Sequence, residues 1–195
     1  EIDPMISSEA RSIVYNVFNS LGTMSINGYS DNLKKLSAED KASLSKKGIR
    51  IGAKFFFMPL LLKKMPMELN ALLWKVFYDF KAENSYPLPH DGRVSFLNNI
   101  TMPESYWFSI GYINLKGFLI RADVFERIFF IARQKVKYGP FLESSELMNP
   151  VGCNSDQLKN ILSYCGFDSI SIFENKKLFF YQLKKKELTK KSVKK

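Results

Sequence analysis

Apolar and polar positions alternate in clear periods over most of this chain. The clearest strand pattern is Gly48-Ile-Arg-Ile-Gly-Ala-Lys-Phe-Phe-Phe-Met-Pro-Leu-Leu-Leu-Lys63. Ile49, Ile51, Ala53, Phe55 and Phe57 alternate with Arg50, Gly52, Lys54, Phe56 and Met58. A period of two predicts a half-buried strand, and Pro59 ends it because proline has no amide to donate to a ladder. The outer face of such a strand carries Arg50, Lys54 and Phe56. Two cations beside an aromatic ring suit a nucleic-acid backbone and a stacked base. The plainer reading of the same residues is a solvated cationic face with Phe56 under a helix.

Helical periods surround this strand. Ser7 caps a helix with an apolar stripe of Ile13, Val14, Val17, Phe18 and Leu21, ended by Gly22. Residues 23–35 are polar and turn-rich. Ser37-Ala-Glu-Asp40 has the form of a capping box, and the short helix it opens closes at Lys46-Lys47-Gly48. Pro66 stands in a first helical turn, and Leu69, Leu72, Leu73, Val76, Phe77 and Phe80 predict an amphipathic helix over 66–80. The segment from Asn84 to Asn99 is punctuated by Pro87, Pro89 and Gly92 and reads as a loop. A helical turn follows Pro103, and two short strands, Tyr112-Ile113 and Phe118-Leu119-Ile120, flank a Lys116-Gly117 turn. Asp123 is placed to cap a helix lined by Phe125, Ile128, Phe129 and Ala132, which stops at Gly139-Pro140.

The remaining elements follow in a recognisable order. Phe141-Leu142 reads as a short strand, 143–148 as a short helix and Asn149 to Cys153 as a turn. Asn154 or Ser155 then caps a helix with Leu158, Ile161, Leu162 and Cys165 inside, stopped by Gly166. Two β-rich runs, 167–173 and 177–183, close the series. Helix, short strand, helix, helix, hairpin is the order of a winged helix, although any helix-and-hairpin appendage gives the same string. The hairpin tip would be a wing carrying Lys176 and Lys177, and the second helix would expose Gln157, Lys159, Asn160 and Ser163. The expected fold class is α+β, with helices, short antiparallel hairpins and a winged-helix-like C-terminal part. The expected division is a mixed region over 1–120, the winged-helix-like part over 121–183 and a disordered basic tail over 184–195. No internal repeat is visible in the residues.

Composition adds a core and a charge. Of 195 residues, 46% are hydrophobic, including seventeen Phe and nine Tyr, so the chain can bury an aromatic core and is not disordered throughout. The net charge is +10, but Lys184 to Lys195 alone hold seven Lys against one Glu, with Lys184, Lys185 and Lys186 in a row. The rest is only mildly basic. Such a tail binds nucleic acid or other polyanions with little specificity. The run Phe55 to Leu62 is too short to span a bilayer, no signal peptide is evident, and no membrane contact is expected. Cys153 and Cys165 are the only cysteines, with no metal-ligand spacing and no nearby His, which fits a reducing, cytoplasmic setting. The first residue is Glu1 rather than Met, which reads as a piece of a longer protein.

Catalytic chemistry is hard to assemble from these residues. His90 is the single histidine and lies in a Pro-rich loop with only Asp91 beside it. Cys153 follows Gly152 ahead of a helix with no basic partner and reads as a small structural residue. There is no phosphate-cradling glycine loop and no pair of carboxylates at metal or glycosidase spacing. The fragment is expected to be non-enzymatic, with no catalytic residue, no metal and no cofactor of its own.

Several segments together carry a resemblance. The stretch Gly48 to Lys63 resembles a "G-V-R-F-G … P-A-L-L-K" signature, and Ala71-Leu-Leu-Trp74 follows at a suitable distance. Pro87-Leu-Pro and Gly92-Arg-Val-Ser95 resemble its Pro-rich loop. Ile110-Gly-Tyr and Ile120-Arg-Ala-Asp-Val-Phe-Glu-Arg127 resemble "G-Y … V-R-V-D-x-L-E-R". Val151-Gly-Cys-Asn-Ser-Asp156 and Leu162-Ser-Tyr-Cys-Gly-Phe167 resemble "L-G-C-S … L-x-x-L-G-Y". The set, in order over about residues 7–167, is similar to the C-terminal region of alphaproteobacterial superfamily-two helicases related to the mitochondrial RNA-degradosome helicase. The resemblance implies an accessory domain of an ATP-dependent helicase whose motor domains lie upstream of Glu1. Its expected partners are single-stranded or structured RNA or DNA, those motor domains, and a nuclease. The residues expected to touch nucleic acid are Arg50, Lys54, Phe56, Lys159, Lys176, Lys177, Lys184, Lys185 and Lys186. The alternative is a protein-docking module with a nonspecific basic tail.

Overall fold

Side-chain caps set where the first helices begin. In the computed structural model, which describes residues 7–78, 87–90, 92–98, 100–172 and 177–181, Ser7 accepts from the Ala10 amide and starts α1 (Ser8–Asn19). Ile13, Val14 and Val17 face inward as their spacing predicts, whereas Phe18 is exposed. The turn-rich stretch that follows contains β1 (Thr23–Ser25) and α2 (Ser30–Lys35). Ser37 and Asp40 form a reciprocal capping box at the start of α3 (Ala38–Lys46). Asp40 does more than cap its own helix. Its carboxylate also accepts from the Ser7 amide and the Ser7 hydroxyl, both at 2.9 Å, so one side chain ties two helix starts together.

The predicted strand over 49–58 is a hairpin. β2 (Arg50–Ile51) and β3 (Phe55–Phe57) pair antiparallel, Arg50 opposite Phe57, with residues 52–54 as the turn. β1 pairs on the other edge of β3. β3 is covered on both faces. Phe55 joins the cluster of Ile113, Phe125 and Ile128, while Phe56 packs with Ile13, Val17 and Leu44, its ring edge-on to Tyr29 at 5.8 Å. A strand buried on both sides has no outer face, so the half-buried reading fails here.

A 3-10 turn, Pro59–Leu62, leads into α4 (Lys64–Phe77). This helix starts two residues earlier than the sequence predicts, and its apolar stripe is not what it buries. Met67, Asn70, Ala71 and Trp74 face inward, while Leu69, Leu72, Leu73, Val76 and Phe77 are exposed. The predicted loop contains β4 (Ser95–Leu97). Then come α5 (Glu104–Ser109), β5 (Tyr112–Leu115) and β6 (Phe118–Arg121), in a sheet ordered β4-β6-β5.

The last part holds α6 (Ala122–Val136), β7 (Phe141–Leu142), α7 (Ser145–Met148), α8 (Ser155–Tyr164), β8 (Phe167–Ser171) and β9 (Lys177–Tyr181). The α6 cap position is Arg121, not Asp123. Asp123 lies in the first turn and takes the Arg121 guanidinium in a fork, at 2.7 and 2.9 Å. Asn154 caps α8 with Gln157 as its reciprocal partner. The third sheet is ordered β7-β9-β8.

The fold is α+β, and its topology repeats. Each of the three sheets is preceded or interrupted by helices in the order helix, strand, helix, hairpin, and in each the last strand lies in the middle. This is the winged-helix order, with two helices before the hairpin in the first and third units and one in the second. Each hairpin follows a helix with a glycine at positive φ two residues past its end: Gly48, Gly111 and Gly166. The units share their cores. The largest cluster joins Phe55 of the first unit, Ile113 and Ile120 of the second, and Phe125, Leu158 and Phe167 of the third. Leu61 and Leu62 pack across the junction of the first two, against Gly22 and Gly111, where a Cβ would come within 2.4 and 2.1 Å of a leucine methyl.

Candidate nucleic-acid interface

A groove of about 770 Å³ runs between the β2–β3 hairpin and α6. Arg50, Gly52, Ala53, Phe57 and Pro59 form one wall, and Asp123, Arg127, Phe130, Arg133, Gln134 and Lys137 are among the residues of the other. The walls are held together by Glu126. Its Oε2 accepts from the Ala53 amide, and its Oε1 accepts from the amides of Lys54 and Phe55, all at 2.7 Å. The hairpin turn is thus a nest of three N–H groups filled by one carboxylate. The approach is so close that a Cβ at Gly52 would stand 2.3 Å from Glu126 Cδ. This explains the second glycine of the Gly-Ile-Arg-Ile-Gly word without recourse to a positive φ.

The same contacts set the groove's charge. Asp123 is paired with Arg121, whereas Glu126 keeps its charge but has both oxygens occupied by amides, so one uncompensated carboxylate faces the cations of the walls. Arg50, Arg127, Arg133 and Lys137 form no ion pair with another described residue. Arg50 donates to Ser45 Oγ at 2.9 Å and Lys137 to Gln134 Oε1 at 2.7 Å, both neutral acceptors. Lys54 and Arg133 lie over the ring of Phe129, at 5.6 and 5.8 Å from its centroid. The outcome is a cationic cleft at the contact of the first and third units.

The sequence-predicted residues divide sharply. Arg50 lines this groove, whereas Lys54 is not among its lining residues and has its ammonium over the Phe129 ring. Phe56 is fully buried and cannot stack on a base. Lys159 is exposed on α8, apart from the groove. Lys177 is paired with Asp156 and its side chain is only 12% exposed, so it is not the free wing cation the sequence predicts. Lys176, Lys184, Lys185 and Lys186 lie outside the described residues. Sequence reasoning missed Arg127, Phe130, Arg133 and Lys137. One signal could have found them: Phe130 interrupts the polar side of an amphipathic helix.

Two other features bear on chemistry. His90 lines a cavity of about 250 Å³ with Lys63, Lys64, Glu68, Arg93 and Tyr112, and among the described residues no Ser, Thr or Cys lines it. The Tyr112 hydroxyl donates to the Arg93 carbonyl, and burial pushes its pKa up to about 12. Burial likewise pushes the Cys153 thiol up to about 11 and raises that of Cys165. Both are therefore protonated at neutral pH. Among the described residues no helix is long and apolar enough to cross a membrane. Comparison with protein-family models, curated proteins and solved structures found no match to this chain.

Proposed function

We propose that this chain is a non-catalytic accessory domain that binds nucleic acid for an ATP-dependent helicase, as its C-terminal region. The observation that carries the binding part is the groove in which Asp123 is paired with Arg121 and Glu126 is occupied by backbone amides, while four cations, Arg50, Arg127, Arg133 and Lys137, remain available to phosphates. Guanidinium forks suit phosphate oxygens better than ammonium groups do, and three of the four cations are arginines. The helicase part rests on the sequence words from Gly48 to Phe167. The Lys184–Lys195 segment would add a nonspecific, screened attraction. Binding of single-stranded and duplex RNA and DNA to the full chain, and to a chain ending at residue 183, across a salt series tests this reading. Each phosphate contact on a single strand should contribute a slope of about 0.7 log units of affinity per log unit of salt. Affinity independent of salt would defeat it.

A second reading, protein docking, is favoured by one observation. Leu69, Leu72, Leu73, Val76 and Phe77 form an exposed apolar face on α4, with Phe18 and Tyr15 exposed on α1. A contiguous face of this kind commonly marks a protein contact. Replacing Leu73 and Phe77 by Glu would abolish capture of helicase motor domains or a nuclease on this reading, and would leave nucleic-acid binding intact.

A further inference from the structure

Phe130 stands at the centre of the cationic side of α6. It is 62% exposed, while its neighbours Ile128 and Phe129 are buried. Arg127, Phe130, Gln134 and Lys137 are spaced three, four and three apart, which places them in one row along the helix. The row is about 15 Å long. The described residues leave most of this ring uncovered, and it faces the groove between the cations of its row.

We infer that this row is a binding site for single-stranded nucleic acid, with a base stacked on Phe130 and flanking phosphates held by Arg50, Arg127, Arg133 and Lys137. The inference rests on the nucleic-acid reading above and adds the form of the ligand and the residue that grips the base. Only an unpaired, unstacked base offers its face to an aromatic ring, whereas a duplex covers its base faces. Two of the helices that would enter a duplex groove in winged-helix fashion offer it little: α5 buries its Tyr106 and Trp107 side chains, and α8 carries a single lysine, Lys159, with its Asp156 paired to Lys177. Gln134 lies one turn from Phe130 and offers an amide to a base edge or a sugar hydroxyl. The strand would run along α6 with the hairpin turn at 52–54 as its far wall.

The test uses the full chain and short oligonucleotides, DNA and RNA, with 2-aminopurine at one position. Fluorescence quenching on binding reports stacking, and anisotropy of an end label reports affinity. Phe130→Ala should weaken single-strand binding about tenfold and abolish the quench, since one base on one ring is worth about that factor. Phe130→Trp should retain both. Arg127→Gln with Lys137→Gln should reduce the salt slope by about 1.4, two phosphates on a single strand. Phe130 is exposed, so these variants should keep the wild-type melting profile. Wild-type chain that binds, with Phe130→Ala and the Arg127/Lys137 pair both unchanged, would overturn this site and leave the nucleic-acid reading standing. Tighter binding of duplex than of single strand by the wild type, unaffected by Phe130→Ala, would also overturn it. Equal binding of polyglutamate would show a generic polyanion cleft and overturn it as well. No binding of any nucleic acid by the wild type would remove the underlying reading itself.

Discussion

Glu126 joins the first and third units, and replacing it should show how strongly. Its carboxylate takes three amides of the β2–β3 turn at 2.7 Å, and its side chain is nearly buried between them and α6. In Glu126→Ala the Phe55 amide is left buried without an acceptor, which costs about 1–3 kcal/mol. The amides of Ala53 and Lys54 are nearer the surface and regain water, so each forfeits about 0.5–1 kcal/mol. The expected loss is therefore about 2–5 kcal/mol, a large part of the stability of a domain this size. Glu126→Gln should lose about half of that, because its oxygen still accepts while its amide faces a donor. Glu126→Met separates acceptor from volume. It fills the space, offers no acceptor, and should be as destabilising as alanine. Urea unfolding gives the free energies, and hydrogen exchange at residues 53–55 reports the three amides directly. A methionine variant as stable as the wild type, or unchanged protection at 53–55 in the alanine variant, would refute the reasoning.

Other expectations follow from the same contacts. The Asp40 carboxyl is held below its usual range, first by the Ser7 amide and further by the Ser37 amide and the Ser7 hydroxyl. Its contribution should be fully present above the unfolded value of about 3.9 and be lost as pH falls through the lower folded value. Thermal melts into the acid range should show that loss in the wild type and a shallower one in Asp40→Asn. Gly111→Ala puts a Cβ 2.1 Å from Leu62 Cδ2 at φ +78°, whereas Gly28→Ala meets nothing at φ +89°. Gly28→Ala should lose only the backbone strain, about 1–2 kcal/mol, and Gly111→Ala clearly more, by denaturant unfolding. Cys153 and Cys165 should resist alkylation near pH 8 in the folded chain and react promptly in urea, read by mass spectrometry.

What was legible in the sequence is what is local. Ser7, the Ser37–Asp40 box and Asn154 act on amides three residues away, and they start the helices where the residues predict. Strand faces and helix faces depend on partners elsewhere in the chain. Phe56 looked exposed by alternation, yet the residues that cover it, Ile13, Val17 and Tyr29, are far back in the chain. The α4 stripe looked like a core face, but Trp74 and Met67 reach the aromatic cluster of Tyr106 and Trp107 instead and turn the leucines outward. The threefold recurrence of helix, strand and hairpin is a repetition of pairing, not of residues, so no periodic word announces it. Arg50 was legible as a cation on a glycine-bracketed strand. Its partners Arg127, Phe130, Arg133 and Lys137 were not, because each alone resembles the solvated side of an amphipathic helix.

Crosslinking a bound strand to the full chain tests the central claim most directly. A single-stranded oligonucleotide carrying 5-iodouridine is bound at moderate salt, irradiated and digested, and the attached peptides are identified by mass spectrometry. Attachment within residues 122–137, lost in Phe130→Ala, is the expected result. Attachment confined to the Lys184–Lys195 segment, unchanged in that variant, would contradict a nucleic-acid face on the folded body and leave the tail as a nonspecific tether.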